Sequence, residues 1–284
     1  MNLNTTRVCS LPSYPGVGGH GPVVMSYLGD QQPLLAACGS YEKHDKSCYQ
    51  LSPDLSWKPF QALLHDHCSY PYTTRSSYIT DLGWFILGLE NGCCGSYCND
   101  TIISSELLTF QLEWIETPVM SPYDRDFPFG TCLVSINSSS VIVTGGRNGD
   151  GILTSTWMLD LTDFTWTQLE DMPGPRYQHG CITTAAGDLI IAGGSDGSDI
   201  SSVYIYNLLS NTWIQVGDLP AGMNYYTYPV MFLWNKHPIL LEHASSNIWI
   251  LDGTNWEKME ATIGATFNGD YDTATTVPAG IFTC

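Results

Sequence analysis

Several stretches of the chain gather residue types that can do chemistry. "LLHDHCSYP" sets His65, Asp66, His67 and Cys68 side by side, all of them types that ligate transition metals. Consecutive residues seldom all reach one ion, and this stretch lies between two β-rich segments, so it reads as a solvated loop and no metal is assigned. "GCCGSYC" brings Cys93, Cys94 and Cys98 together, but the spacing fits no paired-cysteine zinc pattern and points to disulfides stapling a loop. "GVGGHG" at 16–21 has the glycines of a dinucleotide fingerprint, yet it follows "LPSYP" rather than a strand and opens no helix, which makes it a turn. "VIVTGGRNGDG", from position 141, ends a β-branched run on two glycines without the Gly-Lys-Ser/Thr that a phosphate cradle requires. The loops "RNGDG" and "SDGSDIS" carry aspartates but not the alternating acidic ligands of an EF-hand. No G-x-S-x-G or H-E-x-x-H signature occurs, so nucleophilic and metalloprotease chemistry have no support in the sequence and no cofactor is expected.

The elements that hold these loops belong to an acidic chain of 284 residues, with 28 Asp+Glu against 10 Lys+Arg and a formal charge of −18. Such a surface repels phosphate backbones and anionic membranes, which excludes nucleic acid as a partner. No apolar run is long enough to span a bilayer, so no membrane insertion is expected. Ten cysteines and three N-x-S/T sequons, at Asn4, Asn99 and Asn137, point to an oxidising, extracellular setting with N-linked glycans. The start "MNLNTTRVCS" lacks the regions of a signal peptide, so a leader is expected to have been lost from this version of the chain. The alternative location is cytoplasmic, and ten free thiols would mark it.

The organisation is repetitive. Aligning "VIVTGGRNGDGILTSTWMLDLTDFTWTQLEDMPGPRYQHG" on "LIIAGGSDGSDISSVYIYNLLSNTWIQVGDLPAGMNYY" puts Gly145 and Gly146 over Gly193 and Gly194, a step of 48. Trp157 falls on Tyr204 and Trp166 on Trp213, each a step of 47. Trp57, Trp114, Trp166, Trp213 and Trp256 extend the frame at separations of 57, 52, 47 and 43, a drift that loops of different length explain. Each unit reads as four short β-runs bounded by Gly, Asn, Asp or Pro, with no convincing amphipathic helix. Four strands recurring every 40 to 50 residues are the signature of a β-propeller blade.

A hydrophobic run ending in Gly-Gly, then a spaced aromatic, then a Trp, resembles the Kelch repeat, most closely over residues 141–216. The resemblance implies an all-β, Kelch-type β-propeller, usually of six blades. The glycine pair then has a structural use, since glycine accepts φ > 0 and close approach of other groups at the end of the second strand. Units are expected at 20–59, 72–116, 128–168, 177–216 and 224–258 within one domain covering 1–284. The closing blade is expected from 271–284 plus 3–9, because "AGIFTC" resembles "PLLAAC" and "NTTRVCSLP" resembles "NTWIQVGDLP". Its third strand is missing from this count, so either the last blade is incomplete or the chain is a fragment of a longer product.

On this frame Cys38 and Cys48 sit at the end of a second strand and the start of the third, which predicts a disulfide across that hairpin. Cys132 and Cys181 occupy near-equivalent first strands of consecutive units, as buried thiols or as a bridge.

A propeller presents loops from every blade around one mouth, so a non-catalytic module binding a protein or glycan on one face is the expected function. Arg147, Asn148, Asp150, Ser195 and Asp196 follow the glycine pairs, and Tyr177, Gln178, Tyr225 and Tyr226 lead into first strands; these nine are the candidate binding residues. In intracellular Kelch adaptors an Arg directly after the glycine pair contacts acidic motifs; Arg147 matches it, Ser195 departs from it, and the acidic total charge disfavours a similar partner. One alternative is an enzyme resembling galactose oxidase or a sialic acid epimerase, although two Tyr, two His and a crosslinked Cys find no place on the repeat frame. A second alternative is an intracellular substrate adaptor, for whose BTB domain a chain that is propeller throughout leaves no room.

Overall fold

In the computed structural model the described residues are 12–15, 24–28, 35–39, 45–65, 75–79, 81–90, 102–123, 127–220, 229–241 and 247–262. Their regular structure is entirely β, arranged as five four-stranded antiparallel sheets. The first blade holds β1 (Val24–Tyr27), β2 (Leu35–Cys38), β3 (Cys48–Leu51) and β4 (Trp57–Phe60), and the second β5 (Arg75–Ile79), β6 (Gly83–Glu90), β7 (Ile102–Leu108) and β8 (Trp114–Glu116). In the third, β9 (Cys132–Ser135) and β10 (Ser140–Thr144) are followed by a two-stranded ribbon, β11 (Arg147–Asn148) and β12 (Gly151–Ile152), before β13 (Thr156–Asp160) and β14 (Thr165–Gln168). The fourth holds β15 (Gly180–Thr183), β16 (Leu189–Ala192), β17 (Ser202–Asn207) and β18 (Thr212–Asp218); the fifth holds β19 (Val230–Trp234), β20 (His237–Leu241), β21 (Asn247–Asp252) and β22 (Asn255–Thr262).

Strand order within every blade follows the sequence, and the first strands β1, β5, β9, β15 and β19 lie beside one another in that order. They therefore line the inside of a β-propeller. Burial falls outward: β10 and β16 are buried at every position, while β14 shows only Trp166 half-buried. A central strand covered on both faces by neighbouring blades must be apolar on both, which is why "SVIVT" and "LIIA" do not alternate. The core is correspondingly divided into inter-blade layers. Trp84 and Ile86 meet Val24 and Ala36 between the first two blades, Val141 and Val143 meet Phe85 and Leu87 between the second and third, and Ile142 meets Leu189 and Tyr206 between the third and fourth.

The tryptophans of the outer strands repeat one hydrogen bond. The indole N–H groups of Trp114, Trp166 and Trp213 donate to the carbonyl oxygens of Gln61, Met120 and Glu170 at 3.1, 2.6 and 2.9 Å, each in the linker that arrives from the preceding blade. Trp57 makes the same bond to the Pro12 carbonyl oxygen at 3.0 Å, so residues 12–15 occupy the place of an arriving linker beside the first blade. Tyr14 packs edge-on against Tyr49 and Trp57 in that position. The closing blade expected from 271–284 and 3–9 lies outside the described residues.

Candidate functional site

The glycine pairs set the geometry of one end of the blades. Gly145 and Gly146 have φ of 57° and 96°. A Cβ on Gly145 would collide with the Arg176 carbonyl oxygen and stand 2.8 Å from the Met172 methyl; one on Gly146 would stand 2.7 Å from Thr131 Cγ2 and 2.8 Å from Pro128 Cβ. The turn is thus packed against the segments leading into β9 and β15, with the Gly146 N–H donating to the Arg176 carbonyl at 2.9 Å. This is a packed bend, and its amides are used internally rather than opened to a phosphate.

Beyond the bend, each loop pairs with the lead-in segment of its own blade. Phe129 and Arg147 exchange backbone hydrogen bonds at 3.0 and 2.8 Å, and Tyr177 and Ser195 exchange theirs at 3.0 Å each way. The two blades are joined by the Gln178 N–H, which donates to the Gly130 carbonyl at 2.6 Å, while the Phe129 and Tyr177 rings meet edge-on at 6.1 Å. A continuous backbone ribbon therefore crosses the seam of blades three and four in the order Arg147, Phe129, Tyr177, Ser195. It brings seven of the nine candidate residues into one neighbourhood.

Their exposures divide them. Arg147, Asp150 and Asp196 are exposed, and Asn148 is half-buried at the base of the ribbon, its Oδ1 accepting the Asp150 N–H at 3.0 Å. Tyr177, Gln178 and Ser195 are buried, and Ser195 Oγ accepts the Gly197 N–H at 3.0 Å, so Ser195 shapes the loop from inside. The Ser198 hydroxyl and N–H both bond the Asp196 carboxylate, which holds its pKa below the usual carboxylate value and keeps it charged. Tyr225 and Tyr226 lie outside the described residues.

Three features under the rim were not legible as site residues. Arg176 is buried, its guanidinium donating to the Gly193 and Ser202 carbonyl oxygens and to Ser202 Oγ, each at 3.2 Å, and lying 5.2 Å over the Tyr204 ring. Burial draws its pKa down from the usual value, and it acts as a tie between blades. His179 is buried with Nε2 2.7 Å from Thr144 Oγ1 of the blade before. Phe129 was missed although it stands 48 residues before Tyr177; carrying the repeat step back into "PFG" would have found it.

The cysteines that are described form two bridges. Cys38 and Cys48 face each other in register, with Cα atoms 4.1 Å apart, and Cys132 and Cys181 join the inner strands of blades three and four with Cα atoms 6.1 Å apart. The antiparallel registers pair Cys132 with Thr144 and Gly180 with Ala192, so Cys181 lies one place further along its strand than Cys132 does. Cys93, Cys94 and Cys98 lie outside the described residues, as do Asn4 and Asn99. Asn137 is exposed in the turn between β9 and β10, at the far end of the blade from the rim, with Oδ1 accepting the Ser139 N–H at 2.9 Å. His65, from the metal-like stretch, donates its backbone N–H to the buried Glu106 carboxylate at 3.4 Å and places Nε2 3.8 Å from Glu116; no metal-holding cluster occurs among the described residues.

Blades of four antiparallel strands, a packed glycine bend after each second strand in blades three and four, and a loop rim over an inner ring define a propeller scaffold. Among known protein families, the one described as Kelch motif matches residues 132–173 and 175–220, the third and fourth blades. Kelch domain-containing protein 10 of Xenopus tropicalis is 46% identical over 57 residues, 20% of this chain and 14% of that protein. Kelch-like protein 23 of Homo sapiens is 28% identical over 113 residues, 39% of this chain and 19% of that protein. The Rattus norvegicus Kelch domain-containing protein 10 is 42% identical over 57 residues, again 14% of its length. The matches thus span less than a fifth of these relatives. Residues 132–220 thus carry two Kelch motifs within a β-propeller.

Proposed function

We propose that the rim over blades three and four is a docking face for a protein partner and that the chain acts as a non-catalytic interaction module. The observation that carries the reading is the ribbon Arg147, Phe129, Tyr177, Ser195: two lead-in segments and two loops are fixed to one another by backbone hydrogen bonds while Arg147, Asp150 and Asp196 stay exposed. A rigid backbone carrying exposed charges loses little entropy on association, which favours binding over chemistry. The relatives are Kelch domain-containing and Kelch-like proteins, which supports the same reading. Partner capture with a rim variant, Arg147→Glu, and a variant at the opposite end of blade four, Ala185→Glu, tests it. Loss of partners with the first and retention with the second is the expected outcome; equal loss or equal retention refutes the face.

The module is assigned to an oxidising compartment, extracellular with glycans on the sequons. Support comes from the two cysteine pairs at bonding distance and from the exposed Asn137 turn. Intact mass before and after reduction, alkylation and glycosidase treatment decides it: ten alkylatable thiols without prior reduction would place the protein in the cytoplasm.

A further inference from the structure

Seven non-glycine residues among those described have positive φ, and six of them sit in tight turns between strands: Leu55, Leu112, Phe164, Asn211, Asn235 and Lys236. The seventh is Gln178, at φ 60°, in the segment leading into β15. One repeat earlier, the same position is Gly130, with φ 68°. Glycine adopts this conformation freely, whereas a side chain there is strained. Blade four thus carries a glutamine in the left-handed region where its repeat-mate is a glycine.

The side chain is also costly in polarity. Gln178 is 9% exposed and its Oε1 is buried without a hydrogen-bond partner. A buried amide oxygen left without a donor is destabilising. Its Cγ lies in the space that the missing Gly130 side chain leaves, 3.3 Å from where a Cβ would be, so the amide is lodged in the seam between the two lead-in segments. Around that seam are the half-buried Phe129 ring, the Tyr177 ring and the loops of blades three and four. Those loops present three exposed carboxylates, Asp150, Asp196 and Asp199, against one exposed guanidinium, Arg147; the other nearby cation, Arg176, is buried and bonded to Gly193 and Ser202.

We propose that Gln178 is the acceptor of a subsite for a cationic side chain, a lysine or arginine on the docked partner. The ammonium or guanidinium donates to Gln178 Oε1, which becomes accessible by rotation of the amide about its last bond. The Phe129 and Tyr177 rings flank the cation, and the aspartates of the two loops supply the compensating charge. Charge complementarity selects this occupant: a chain of −18 repels an acidic segment and attracts a basic one. The orphan acceptor of the free protein is then satisfied on binding, which puts that unfavourable contribution in the unbound state.

This inference rests on the rim being the docking face, and the test separates the two. Acetyl-Ser-Gly-Lys-Gly-Ser-amide and its counterpart with Glu in place of Lys are titrated into the isotope-labelled full chain, following the side-chain amide signal of Gln178 and, in the variants at 178, the backbone amide signals of residues 178 and 195. The lysine peptide is expected to move that signal saturably and the glutamate peptide is not. Gln178→Glu replaces a neutral acceptor by a charged one and is expected to tighten the lysine peptide about tenfold. Gln178→Leu is expected to abolish saturable binding. Asp196→Asn, which leaves Gln178 in place, is expected to weaken it about threefold at low salt. Equal binding of both peptides, preference for glutamate, or no saturation with either overturns the cationic subsite. Should a protein partner bind the rim with an affinity that Gln178→Glu leaves unchanged, the docking face stands and this subsite falls.

Discussion

Replacing Gly145 by alanine tests whether the glycine bend is a packing device. At φ 57° an alanine loses about 1–2 kcal/mol relative to an unstrained conformation. Its Cβ would also strike the Arg176 carbonyl, which is backbone, and approach the Met172 methyl at 2.8 Å and His179 Cε1 at 3.0 Å. Overpacking of this kind costs about 1–3 kcal/mol. The two terms give roughly 2–5 kcal/mol, or a urea midpoint lower by about 1 M for a slope near 3 kcal/mol/M. The assay is urea unfolding followed by tryptophan fluorescence, with Gly149→Ala as control, because a Cβ there meets nothing within 4 Å. The control is expected to stay within about 0.5 kcal/mol of the parent. A Gly145→Ala midpoint indistinguishable from that of Gly149→Ala would refute the reasoning. Shifting the Arg176 carbonyl also moves the Gly146 amide bonded to it, so loss of partner binding should accompany the loss of stability.

Further outcomes follow from the same contacts. Loop-closure entropy predicts that removing the Cys132–Cys181 bridge, separation 49, costs about 4 kcal/mol, and removing Cys38–Cys48, separation 10, about 3 kcal/mol; thermal melts of the Cys→Ala pairs check the order. Arg176→Met should cost about 1–3 kcal/mol through the Gly193 oxygen it orphans, and Arg176→Lys should recover only part, since a single ammonium cannot replace both Nη1, on the Gly193 and Ser202 carbonyls, and Nη2, on Ser202 Oγ. Trp57→Phe should cost about 1 kcal/mol and speed hydrogen exchange near residues 45–58, the segment on which Tyr14 rests. Burial pushes the Tyr123 phenol up from 10.0 to about 12. Its contribution is intact below pH 10 and is lost as the pH rises towards 12, because only the unfolded chain ionises in that window; the loss is on the order of 2–3 kcal/mol, and Tyr123→Phe should flatten that part of the pH profile of stability.

The fold was legible because its signals are local and repeated. Gly145 and Gly146 over Gly193 and Gly194, and Trp166 over Trp213, mark the second-strand end and the outer strand of each unit, and both pairs do in the structure what the spacing implied. The outer hairpin turn is marked locally as well: the residue two places before Trp57, Trp114, Trp166 and Trp213 is in the left-handed region each time. What stayed hidden depends on contacts between blades. Arg176 aligns with no other arginine, and its partners Gly193 and Ser202 are 17 and 26 residues away. Tyr177, Gln178 and Ser195 were placed on an open rim because their segments are loops by composition. Yet Tyr177 and Ser195 pair through their backbones, and Gln178 fills the gap over Gly130, which draws all three inward. The Cys132–Cys181 bridge joins strands of different sheets, so register within one blade could not announce it.

The central claim, that a partner docks on the rim of blades three and four, is tested most directly by hydrogen exchange of the full chain with and without a captured partner. Protection confined to residues 127–131, 145–153, 176–179 and 193–200, with the turns at 136–139, 161–164 and 184–188 unchanged, is the predicted result. Protection of those three turns with an unchanged rim would contradict it.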